Sequence, residues 1–140
     1  MTDPSSVTLV QHAIHNPDEP RHFMRVVAVD RRVTAAIGEH TVADSTNAVV
    51  VKEVGRDIYD PVVYFPRADV TMHVFSRTGT TTYCPLKGST EYFDVTVDGD
   101  TAADAAWSYV EMRLGDELKD LIAFDSSQVS VTIAPGATDD

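Results

Sequence analysis

Tyr92-Phe93-Asp94-Val95-Thr96-Val97-Asp98-Gly99-Asp100-Thr101 decides the fold class of this chain. Phe93, Val95 and Val97 alternate with Asp94 and Thr96, the two-residue period of a strand with one face toward a core. Asp98-Gly99 follows at once, and both residue types tolerate the positive φ that a two-residue hairpin turn demands. The chain returns over residues 101–106 and ends the element on the aromatics of Trp107-Ser108-Tyr109. An antiparallel hairpin is expected.

Working outward, similar signals recur. Upstream, Thr80-Thr81-Thr82-Tyr83-Cys84-Pro85-Leu86-Lys87-Gly88 reads as strand, shaped loop and strand, because proline lacks an N–H donor and glycine accepts positive φ. Residues 70–77 alternate Val70, Met72 and Val74 against Thr71, His73 and Phe75, and are expected as a strand. Prolines bound a strand at 61–66, residues 48–53 fit a strand or one helical turn, and residues 33–42 form a hairpin turning at Gly38. Downstream, residues 116–122 predict the one helix, capped by Asp116 with Leu114, Leu118, Leu121 and Ile122 on its apolar side. A last strand is expected at 128–133. Many short strands with turns every ~8–12 residues spell a mainly-β domain of curled antiparallel sheets, tent- or barrel-like, with one short late helix.

The 140 residues suit one domain, expected over 33–134, with an N-terminal extension of strand and loop at 1–32 and a tail at 135–140. Three of the five histidines (His12, His15, His22) fall in that extension, near a 15–20 loop with two prolines, and are expected on the surface of a mobile arm. No metal site is expected, since no carboxylate–histidine spacing accompanies them and a single cysteine excludes a paired-cysteine zinc knuckle. The net charge of −11 argues against binding a phosphate backbone. No apolar run approaches the ~20 residues of a membrane span, and the N-terminus lacks a signal pattern. A cytoplasmic protein, monomer or homodimer, is the expectation.

Two residues carry reactive groups close together: Cys84, the sole cysteine, and Lys87. A nearby ammonium favours thiolate, the nucleophilic form, although a Cys–His pair would need a distant partner such as His73. Lys87 beside Gly88 also suits an anion. Arg67 offers a planar fork for carboxylate or phosphate, or pairs with Asp69 two residues on. Tyr64, Tyr92, Trp107 and Tyr109 have apolar bodies and polar tips suited to pocket walls.

Three stretches together resemble the bacterial domain of unknown function 427 family: Tyr64-Phe65-Pro66-Arg67 with Asp69-Val70; Thr82, Cys84-Pro85 and Lys87-Gly88 with Tyr92; and Ala106-Trp107-Ser108-Tyr109. Ala43-Asp44-Ser45 and Ile122-Ala123-Phe124 also fit, so the resemblance spans roughly 33–133. Val110 stands where family members commonly have proline, and the histidine-bearing extension lies outside the pattern. The resemblance implies a compact, mostly β fold of curled sheets. It also implies that Arg67, Asp69, Cys84 and Lys87 converge on one pocket assembled from three loops. The family's activity is not established, though a nucleotidyltransferase-like label is attached to it. Gly88-Ser89 and Asp98-Gly99-Asp100 mimic the spacing such an enzyme needs, but no helix start can be read after Gly88 and Asp98 belongs to a turn.

The function expected is therefore binding of a small polar or anionic metabolite. Arg67 and Lys87 would supply charge, Tyr64, Tyr92 and Trp107 the walls, and Asp69 the orientation of Arg67. The alternatives are an enzyme with Cys84 as nucleophile or Lys87 as acid/base, and a protein-interaction module without catalysis. No cofactor is assigned.

Overall fold

Twelve strands, β1 (Ile14–Asn16), β2 (Glu19–Ala28), β3 (Val33–Ile37), β4 (His40–Ser45), β5 (Val49–Val54), β6 (Val62–Tyr64), β7 (Phe75–Arg77), β8 (Tyr83–Cys84), β9 (Gly88–Val97), β10 (Asp100–Met112), β11 (Ala123–Phe124) and β12 (Ser130–Ile133), make up a computed structural model that describes residues 9–135. They form three antiparallel sheets in the orders β1-β2-β5-β6, β11-β10-β9-β7 with β8 on β9, and β12-β3-β4. Among the described residues, none of the sheets closes into a barrel.

The turns obey local chemistry. Asp98 (φ 51°) and Gly99 (φ 79°) both adopt the left-handed conformation of a two-residue hairpin turn, bringing Asp100 opposite Val97. β9 and β10 are longer than the short strands expected, at 10 and 13 residues, and register shifts interrupt their pairing between Ala102 and Ala106 and between Tyr109 and Glu111. Asp104, at φ 48°, sits in the first of these, where its N–H donates to Asp94 Oδ1 at 2.8 Å.

The shifts let β10 serve two cores. Ala105 and Ala106 join Val33, Ala35, Val42, Phe65, Phe93, Val95, Ile122 and Phe124 in the first. Tyr109 joins Met24, Val51, Tyr64, Leu86, Leu118 and Ala123 in the second.

Three expectations fail. No helix forms over 116–122; the segment is a series of turns around a fully buried Leu118. Its backbone groups find non-local partners: Asp120 N–H donates to the Tyr109 carbonyl at 3.0 Å, while Phe65 and Ile122 exchange both N–H bonds at 2.8 and 2.9 Å. Seven residues cannot nucleate a stable helix against such competition. Asp120, at φ 64°, breaks the helical path outright. Residues 70–77 are strand only at β7, because Met72–Val74 tightens into a 3₁₀ turn after Thr71 N–H bonds the Val42 carbonyl at 2.9 Å. The stretch around His22 is no mobile arm: β2 pairs with β5 from Phe23↔Val54 to Ala28↔Val49. Residues 1–8 of the expected extension and 136–140 of the expected tail lie outside the described residues. Among the described residues, no helix is long and apolar enough to cross a membrane.

Candidate functional site

Cys84 pairs with Gly88 at the mouth of a tight hairpin whose loop is Pro85-Leu86-Lys87. Leu86 is fully buried in the second core and anchors the loop. Arg113 clamps it from the other side: its N–H takes the Lys87 carbonyl at 2.9 Å, and its guanidinium bonds the Pro85 carbonyl and, at 2.7 Å, Asp18 Oδ2. This places Lys87, only 9% exposed, beneath the β1-β2-β5-β6 sheet.

The Lys87 ammonium donates to Glu53 Oε1, and the second carboxylate oxygen, Oε2, accepts a 2.8 Å hydrogen bond from His22 Nε2. Sheet register explains the meeting. Met24 lies opposite Glu53 across β2 and β5, so His22, two residues before Met24, shares its face and sits diagonally from Glu53. The ligand-bearing atoms of His22, Glu53 and Cys84 all lie within 4.8 Å of one another. The β1-β2-β5-β6 sheet supplies the histidine and the carboxylate; the β8–β9 hairpin supplies the thiol from its strand and the ammonium from its loop.

Electrostatics hold the pair ionised. Burial alone would raise the Glu53 carboxyl, but the hydrogen bonds from Lys87 and His22 outweigh it and keep the group below its ordinary value of 4.5. Burial pulls Lys87 down, yet Tyr64 and Glu53 together push it above 10.5. The Lys87 ammonium also stands 5.9 Å from the centroid of the Tyr109 ring. Burial raises both the Tyr64 and Tyr109 phenols, so each is neutral at neutral pH and Tyr64 acts on Lys87 only in the alkaline range.

The tyrosines and Trp107 wall this constellation. Trp107 Nε1 donates to the Tyr64 hydroxyl at 3.3 Å, and the Tyr64 and Tyr109 rings are 6.3 Å apart. Tyr92 stacks at a tilt on Trp107, its cross-strand partner, at 6.1 Å. Among the sequence candidates, Tyr64, Cys84, Lys87 and Trp107 thus fall in or against the second core.

Arg67 and Asp69 are placed elsewhere. Arg67 donates to Ser108 Oγ at 3.0 Å and to the Asp120 carbonyl at 3.1 Å, and its guanidinium lies 5.7 Å from the Phe93 ring centroid. Ser108 points from the opposite face of β10 to Trp107 and Tyr109. Asp69 accepts from Ser45 Oγ at 2.6 Å, so the expected Arg67–Asp69 pair does not form. His73 is exposed on its 3₁₀ turn; the histidine beside Cys84 is His22. The resemblance to a nucleotidyltransferase spacing dissolves in space: Gly88 opens β9 and Asp98 follows its far end, ~30 Å away along an extended strand. There Asp98 bonds His40 at 2.6 Å.

A cleft of about 580 Å³ opens beside the constellation, lined by Glu19, Arg21, His22, Gly55, Arg56, Tyr59 and Pro85. His22 belongs to both. Arg21 is held by Glu19 at 2.7 Å, whereas the ion pairs among the described residues do not include Arg56. Glu53 and Arg113 carry no site motif in the linear sequence, and His22 reads there only as one of three clustered surface histidines. One signal was present: Glu53 lies in phase with the buried Val51 on an otherwise valine-rich strand, a placement that demands a cationic partner.

Among curated proteins, a search finds no match to the chain. A family model described as a domain of unknown function does match, over residues 25–134, from within β2 to just past β12. The chain belongs to the domain of unknown function 427 family.

Proposed function

We propose that the protein binds a small polar, anionic metabolite in the cleft between β2, the 55–59 loop and Pro85, with His22 presenting the buried Glu53–Lys87 pair to it. The observation that carries this reading is that the cleft is lined by His22, the residue tied at 2.8 Å to the buried pair. A concave space with a few convergent polar groups is the ordinary form of a small-molecule site. Arg56, exposed in the cleft wall, supplies the charge that Arg67 and Lys87, both engaged internally, do not, and His22 adds a polar ring. The metabolite's anionic group meets Arg56, and its body lies along Tyr59 and Pro85.

A thermal-shift screen of metabolites and nucleotides against the wild type and Arg56→Ala tests this. A ligand at 100 times its Kd adds ~2.7 kcal/mol, several degrees in melting temperature for a domain of this size. The expected result is an anionic hit that weakens at least tenfold in Arg56→Ala. Hits indifferent to that substitution, or none across a broad anionic set, refute the reading.

A second reading rests on the closeness of His22 to Cys84. Glu53 orients His22 by its hydrogen bond, as a base is oriented in nucleophilic catalysis. The Cys84 thiol passes its proton to His22 Nδ1, the ring nitrogen not committed to Glu53, and the sulfur attacks an electrophilic carbon of the bound ligand, the displaced heteroatom leaving with the electrons of its bond. Iodoacetamide at pH 7 should then label Cys84 faster than free cysteine, and His22→Ala should slow it. Labelling at the free-cysteine rate, unchanged by His22→Ala, removes this reading.

A further inference from the structure

We infer that His22, Glu53 and Cys84 form a binding site for a divalent transition metal of the zinc class. This goes beyond the proposed metabolite site, holds whether or not the cleft takes a metabolite, and departs from the sequence expectation of no metal. The three residues supply an imidazole nitrogen, a carboxylate oxygen and a thiolate sulfur, the donor set that zinc and cobalt favour and that magnesium and calcium do not. All three ligand-bearing atoms lie within 4.8 Å of one another. Ligands on a tetrahedral ion at ~2.0–2.3 Å stand roughly 3.4–3.8 Å apart, so side-chain shifts of about 1 Å close the set.

The surroundings are those of a built site. Each ligand comes from a different strand, β2, β5 or β8, and the strands are locked by sheet pairing. Glu53 has an outer partner in Lys87 on Oε1, leaving Oε2, the oxygen facing His22, for the ion. The His22–Glu53 hydrogen bond marks where the metal inserts: Nε2 gives up its proton, the neutral imidazole carries its hydrogen on Nδ1, and the Cys84 thiol releases one proton to solvent. With one thiolate, one carboxylate, the Lys87 ammonium and a dication, the local charge is +1. Three protein ligands leave a fourth position open, the arrangement of zinc sites that bind water or substrate. His22 puts that position beside the cleft. Metal binding and nucleophilic use of Cys84 exclude each other, since a coordinated thiolate is no longer free to attack.

The test uses the whole chain, stripped with chelator and titrated with Co²⁺, then with Zn²⁺. Co²⁺ should bind one per chain with a near-ultraviolet thiolate-to-cobalt band that Zn²⁺ abolishes. The band should vanish in Cys84→Ser, and Co²⁺ affinity should fall tenfold or more in His22→Gln. A measurement on the unmutated chain stands apart from any folding defect: stoichiometric Zn²⁺ should slow iodoacetamide labelling of Cys84 at least tenfold. Absence of the thiolate band, or labelling unaffected by Zn²⁺, overturns the inference. So does binding that persists undiminished in both variants, which would place the ion elsewhere.

Discussion

Lys87→Ala should cost about 3–5 kcal/mol of stability, because it leaves the Glu53 carboxylate buried without its cation. The Lys87 and Glu53 side chains are only 11% and 13% exposed, so water cannot take over the lost partner. For a chain of this length that loss lowers the melting temperature by roughly 10–20 °C. Glu53→Leu combined with Lys87→Met should recover much of it, since an apolar pair carries no desolvation penalty. Chemical denaturation of the single and double variants reads both effects. A cost below about 1 kcal/mol for Lys87→Ala would mean that the pair behaves as an exposed ion pair and that water reaches Glu53.

The same pair sets a pH window. Glu53 titrates below 4.5 in the folded chain, so its contribution is present above that value and is lost as pH falls through its depressed pKa. Lys87 titrates above 10.5, so its contribution is complete below that value and is lost as pH rises through its raised pKa. The stability difference between wild type and the apolar double variant should therefore be flat between about pH 4.5 and 10.5 and should fall on both sides. A difference that changes through neutral pH would mean that the Glu53 and Lys87 charges do not set the window.

What the linear sequence disclosed, and what it hid, divides by the range of the interaction. The Asp98-Gly99 and Gly38 turns were legible because the conformations they need are local properties of those residue types. The 116–122 segment misled because Leu114, Leu118, Leu121 and Ile122 have helical spacing, while the decisive partners, Phe65 and Tyr109, lie outside the segment on other strands or their ends. The site divides in the same way. Cys84 and Lys87 stand three residues apart and proclaim themselves, whereas Glu53 and His22 become neighbours only through the β2–β5 register. Arg67 illustrates the opposite error. Its charge suggested a ligand, but the fold uses that guanidinium to tie β10 to the turn at Asp120.

Gly88→Ala should be as damaging as Lys87→Ala, at least about 4 kcal/mol, for a reason independent of charge. Gly88 sits at φ 122°, where side chains are strained, and a Cβ built there would stand 1.9 Å from the Glu111 carbonyl oxygen. That oxygen is backbone of β10, in the stretch displaced by the Tyr109–Glu111 register shift, so it cannot swing aside as a side-chain tip would. Gly99→Ala separates the two causes: its φ is also positive, at 79°, but nothing lies within 4 Å of the added carbon. It should cost only about 1–2 kcal/mol. Equal losses in the two variants would show that β10 yields, and that conformation rather than close approach fixes the need for glycine. A much larger loss at Gly88 would tie the hairpin to β10 at the residue next to Lys87. The close approach of two backbones would then be what holds the ammonium against Glu53 and the thiol within reach of His22. Any residual folded Gly88→Ala protein should accordingly lose zinc protection of Cys84 even where its overall secondary structure survives.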